Sequence, residues 1–86
     1  MQAATRQQLL DMILRQLNII KPDAPQLSES SDLISDLGLD SVQVLEMCTD
    51  LEDELDVSIP VNRLGEVRTA GQLADLLQQL LHEDTA

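Results

Sequence analysis

The sequence predicts an all-α protein: a small four-helix bundle of three main helices and one short one, with a long loop between helices one and two. Three observations point there. Apolar residues recur at helical spacing in three separate stretches, near 9–20, 44–55 and 73–81. The 86-residue chain has no Phe, Tyr or Trp, so its core must be built from Leu, Ile, Val, Met and Ala, which suits a helical bundle. The most strand-like segment, Val57-Ser58-Ile59-Pro60, is too short and too proline-bound to lie inside a sheet. A chain of this length forms one domain, 1–86, with a modest core. Each buried Leu, Ile or Val contributes roughly 1.5–3 kcal/mol, against about 1–2 kcal/mol per residue of backbone ordering. A marginally stable, easily opened bundle is expected.

The first helix is expected over about 4–20. Leu9, Leu10, Ile13, Leu14, Leu17 and Ile20 fall on one arc, with Asp11, Arg15 and Asn18 opposite. Asp11 and Arg15, four apart, can pair on the wet face. Lys21-Pro22 stops the helix, because a residue before proline is pushed out of the helical region. About twenty residues then lead to Asp40, far more than the usual ~2–8 between bundle helices. Leu27, Leu33, Ile34, Leu37 and Leu39 can pin this loop across the bundle. A helical turn within 28–37 would be followed by Gly38 in the left-handed conformation.

The second helix is expected from Ser41 to Asp56. Asp40 is a natural N-cap, and Gln43 completes a capping box. Val44, Leu45, Cys48, Leu51 and Leu55 form its buried side, with Val42, Glu46, Thr49 and Asp53 on the other, flanked by Asp50 and Glu54. Val61, Leu64 and Val67 suggest a minor third helix. Thr69 and Gln72 form a second capping box, and Leu73, Leu76, Leu77, Leu80 and Leu81 line one face of the last helix to about Glu83.

Charge is unevenly placed. Net charge is −11, from 16 acids and five bases. Between Pro22 and Asn62 lie eleven acids and no Lys, Arg or His, while the remainder balances at five acids and five bases. This excludes a nucleic-acid surface and predicts partners with basic docking patches. No run approaches the ~20 apolar residues of a membrane span. Residues 5–8 lack the apolar core of a secretory signal, so membrane insertion is not expected and a cytoplasmic location is.

Enzymatic and metal chemistry fail by subtraction. The sole histidine, His82, sits in the last turn of the last helix, where it complements the helix dipole. The sole cysteine, Cys48, lies on an apolar face and should be inert. An EF-hand register placing Gly38 sixth puts Leu33 first, which cannot ligate calcium. No metal site is therefore expected. Ser41 remains. A serine beside Asp at a helix start is ordinarily a capping group, but this one follows a glycine-hinged, leucine-pinned loop. It precedes an exposed valine and a line of carboxylates.

Asp36-Leu37-Gly38-Leu39-Asp40-Ser41-Val42, then Val44-Leu45-Glu46, Leu51-Glu52-Asp53-Glu54-Leu55 and Ile59-Pro60, resembles the acyl carrier protein family over nearly the whole chain. The resemblance implies a non-catalytic, freestanding carrier, expected to be a monomer. Its Ser41 would receive 4′-phosphopantetheine from coenzyme A through a phosphopantetheinyl transferase, and the arm would hold acyl groups as thioesters. It further implies that partner enzymes (acyl-activating, ketosynthase or acyltransferase types) read Asp36, Asp40, Val42, Glu46, Thr49, Glu52 and Asp53. Leu45, Leu51, Leu55 and Ile59 match positions lining the acyl-chain pocket, and Asp40 matches an acid assisting the metal-dependent transfer step. Val42, Gln43, Thr49 and Arg63 depart from the common pattern. They suggest a specialised pathway such as polyketide or other lipid assembly over housekeeping fatty-acid synthesis. The alternatives are an aminoacyl or peptidyl carrier, disfavoured by Gly38-Leu39 where peptide carriers tend to have Gly-Gly, and an arm-less acidic module with the carrier fold.

Overall fold

The computed structural model describes residues 5–23 and 26–84, which form α1 (Arg6–Ile20), α2 (Ser41–Leu55), α3 (Val61–Leu64) and α4 (Ala70–Asp84). The three long helices all open with capping boxes. Thr5 caps α1 and exchanges hydrogen bonds with Gln8, Asp40 does so with Gln43, and Thr69 with Gln72. Each box satisfies amides that the first turn leaves without intrahelical partners. The Thr5 box starts α1 at Arg6, two residues later than expected. Asp11 accepts a hydrogen bond from Gln7 Nε2 at 3.1 Å and forms no ion pair with Arg15.

Helix α1 is the hub, packing along α4 and against α2. Leu9, Leu10, Ile13 and Leu17 join Leu51, Leu73, Ala74 and Leu77 in one aliphatic core. Small residues on α4 allow close approach: a Cβ on Gly71 would sit 3.0 Å from Glu29 O and 3.1 Å from an Arg6 guanidinium nitrogen.

The loop before α2 is stitched to the start of α4. Leu33 N donates to Arg68 O at 2.8 Å, Ala70 N to Ser31 O at 3.2 Å and Gly71 N to Glu29 O at 2.8 Å. Asp32 and Thr69 form an isolated antiparallel bridge. The expected turn exists, with Asp36 N donating to Asp32 O and Gly38 N to Ile34 O, but it does not become a regular helix. Gly38 takes φ +68, the left-handed conformation its position demands. Leu33, Leu37 and Leu39 pin the loop as expected. Ile34 does not, being 53% exposed, because it sits on the turn's outer side.

Helix α2 buries Cys48 and Leu51 and half-buries Val44 and Leu55 as expected, but the face extends to Met47 and leaves Leu45 out. Met47 is fully buried beside Cys48 and Leu51, while Leu45 is 42% exposed. Asp56 follows the helix with φ +56 as its C-cap. Such left-handed caps favour Gly, Asn and Asp.

Candidate functional site

Ser41 sits at a junction made by three pieces of local chemistry. Gly38 turns the chain, buried Leu39 anchors it, and Asp40 in extended conformation begins the helix. Asp40 Oδ1 accepts from Gln43 N at 2.8 Å, and Gln43 Oε1 accepts from Asp40 N at 3.2 Å. The cap is therefore Asp40. Ser41 is the first residue inside the helix, exposed, and its hydroxyl hydrogen-bonds to none of the described residues. Its own amide and that of Val42 point out of the helix N-terminus without intrahelical partners, an arrangement that favours an anion.

Beside the hydroxyl opens a cavity of about 300 Å³ between α2, α3 and the loop turn. Leu33, Val44, Leu64 and Val67 form its inner walls. Ile34, Leu45 and Val61, all exposed, form its rim. This explains two residues expected against the core, Leu45 from the helical pattern and Ile34 as a pin of the loop. Ile34 and Leu45 turn away from the core and onto a cavity that the hydrophobic period cannot distinguish from it. Leu45 is also the only one of the four expected pocket residues on this wall. Leu51 and Ile59 are buried in the core and Leu55 is half-buried against it.

The residues expected to meet partners also separate. Val42, Glu46, Thr49 and Asp53 are exposed on α2, with Val42 60% accessible beside Ser41. Glu46, Asp50, Asp53 and Glu54 have no basic partner among the described residues. Thr49 turns its hydroxyl inward, donating to Leu45 O at 2.9 Å. Glu52 is half-buried, and its Oε2 accepts from Ile59 N at 2.7 Å, tying the end of α2 to the segment before α3. Asp36 accepts from Asp32 N at 2.8 Å and so braces the turn, although it stays exposed.

Burial pushes the Cys48 thiol up to about 11, with Glu52 adding to the effect. A thiol held so far from ionisation is a poor nucleophile. Among the described residues no three His, Cys, Asp or Glu side chains gather as a metal site. None of the described helices is long and apolar enough to cross a membrane.

Residues 7–77 match the protein family described as "Phosphopantetheine attachment site". A Caulobacter vibrioides protein provisionally named as an acyl carrier protein is 34% identical over 74 residues, covering 81% of this chain and 86% of the relative. The acyl carrier protein of Syntrophobacter fumaroxidans is 32% identical over 75 residues, covering 87% and 89%. The chain belongs to the acyl carrier protein family. A solved chain from Mycobacterium tuberculosis, provisionally assigned to the same family, superposes with a TM-score of 0.73 at 24% identity, covering 81% of this chain and 95% of that one. That likeness concerns the fold. Acyl carrier proteins are non-catalytic carriers with a 4′-phosphopantetheine prosthetic group, and they work with a phosphopantetheinyl transferase and biosynthetic enzymes.

Proposed function

We propose that Ser41 is the attachment point of the arm, that the cavity beside it shelters the acyl cargo, and that the acidic face of α2 meets the partner enzymes. The observation that carries this reading is the division of labour between neighbours. Asp40 performs the capping that would otherwise occupy the serine, which leaves an exposed primary hydroxyl with no partner among the described residues. A phosphodiester formed there would lie against the free amides at the start of α2, where the helix dipole favours negative charge. Asp40 keeps its second carboxylate oxygen for the transfer step, since only Oδ1 is used in the cap. When attached, the arm supplies a terminal thiol on which acyl groups ride as thioesters.

The aliphatic lining of the cavity supports an acyl cargo of the fatty-acid-like or polyketide kind over an aminoacyl one. Glu46, Asp50, Asp53 and Glu54, without basic partners among the described residues, offer their carboxylates to basic docking patches. Such contacts give fast association and salt-sensitive, modest affinity, which a shuttling carrier needs. Val42 supplies an apolar contact next to the attachment point. Asp36, Thr49 and Glu52 contribute chiefly by holding the turn and the end of α2 in place.

The test is co-expression with a phosphopantetheinyl transferase and intact mass spectrometry. Wild type should gain the mass of one arm, and Ser41→Ala should gain none while melting at the wild-type temperature. A wild type left unmodified by several transferases would overturn the assignment.

A further inference from the structure

The cavity beside Ser41 is selective in two respects that its walls make legible. The Ser41 hydroxyl, at the mouth, is the only polar side chain lining it among the described residues. A polar group carried deep inside would lose water and find no side chain to replace it. Size is the second respect. A dry cavity of about 150 Å³ accepts benzene, so one about twice as large holds on the order of a dozen carbons at most. With one side open, this cavity of about 300 Å³ holds fewer.

The wall at the end of α3 decides how far a chain can run. Leu64 projects from α3 into the cavity wall, half-buried. Gly65, the next residue, lines the cavity with bare backbone. Nothing in the backbone asks for glycine there, because φ −63 and ψ −18 suit any L-residue. Crowding does not ask for it either: an added Cβ would meet only Asn62 O, at an ordinary 3.6 Å. A glycine in helical conformation is less favourable than alanine. What its absent side chain leaves is open volume beside the cavity.

We infer that Leu64 and Gly65 together set how long an acyl chain the cavity shelters. The inference rests on the carrier reading above. A side chain at position 65 shortens the sheltered length, and removal of the Leu64 side chain extends it. The two changes act in opposite directions on the same readout.

The experiment loads the full chain with butyryl, octanoyl, dodecanoyl or palmitoyl groups, using the matching coenzyme A thioesters and a tolerant phosphopantetheinyl transferase. It reads melting temperature and the rate of thioester cleavage by hydroxylamine. In wild type, cleavage should slow several-fold from butyryl to octanoyl, level off before dodecanoyl, and slow no further with palmitoyl. Gly65→Leu should move that break to shorter chains, with Gly65→Ala as the folding control melting at or above wild type. Leu64→Ala should move the break to longer chains. Equal cleavage rates at every length, or a break that Gly65→Leu leaves in place, would overturn the inference while leaving the carrier reading intact. Failure of wild type to accept any arm would overturn both.

Discussion

Around α4 and the segment that leads into it, charges meet opposite charges and the backbone is tied down. Arg6 Nε donates to Asp75 Oδ1 at 2.6 Å and its guanidinium also reaches Glu29 at 3.2 Å, so one side chain joins α1, the loop and α4. Arg68 lies 3.5 Å from Asp32, and Arg63 lies 3.7 Å from Glu66 while donating to Gln79. The outer face of α2 is built otherwise. Its carboxylates have no basic partner among the described residues, Val42 and Leu45 are exposed, and the cavity opens at its head. The first region satisfies its own groups and holds the fold. The second leaves charge and apolar surface unmet, a combination that gives the fold little and a partner or cargo much.

The contrast can be broken first at Met47 and Leu45, two residues apart on α2. Met47→Ala should cost about 2–5 kcal/mol in urea unfolding, as a buried large-to-small change does. Leu45→Ala should cost only about 0.5 kcal/mol, the range of surface changes, and act instead on the sheltering of cargo. Equal losses would mean that α2 presents both faces to the core.

A smaller effect is expected from ionic strength. Raising salt or adding Mg²⁺ should raise the melting temperature, because screening relieves repulsion among the α2 acids more than it weakens the few pairs around α4. Asp53→Asn combined with Glu54→Gln should flatten that response, and Arg68→Ala should steepen it. A flat wild-type response would show that the acidic face is already compensated.

The smallest effect belongs to Asp32. The backbone amide of Ser35, then that of Ile34 and the charge of Arg68, hold its carboxyl below the ordinary value of 3.8. A depressed folded-state pKa contributes stability above the unfolded value, and that contribution is lost as pH falls through the folded one. The melting-temperature gap between wild type and Asp32→Asn should therefore be steady near neutral pH and close below about pH 4. A gap that persists in acid would assign the role of Asp32 to shape and not to charge.

Much of this was legible in the residues themselves. The boxes at Asp40–Gln43 and Thr69–Gln72 are local chemistry: the side chain and the amide it satisfies lie three residues apart, so no distant contact can move them. The Thr5–Gln8 box carried the same signal and was there to be read. Gly38 was legible for a similar reason, since a turn that ends left-handed asks for glycine. The acidic middle of the chain needed only counting.

The places of Met47 and Leu45 on α2 were not legible, nor was the employment of Glu52, Thr49 and Asp36 in bracing the chain. A helical period says which residues share a face, but not whether that face meets the core or a cavity. Leu45 and Ile34 read as core because an apolar residue beside empty space has the same sequence as one beside a neighbour. By itself the sequence determined where helices begin, which residues are aliphatic, and where charge accumulates, because these follow from interactions within a few residues. Only the tertiary structure decided that α2 turns Met47 inward and Leu45 outward, and that a cavity opens next to the hydroxyl. Those outcomes depend on how α3 and the long loop settle against α2, and contacts between segments distant in the chain are what local patterns do not encode.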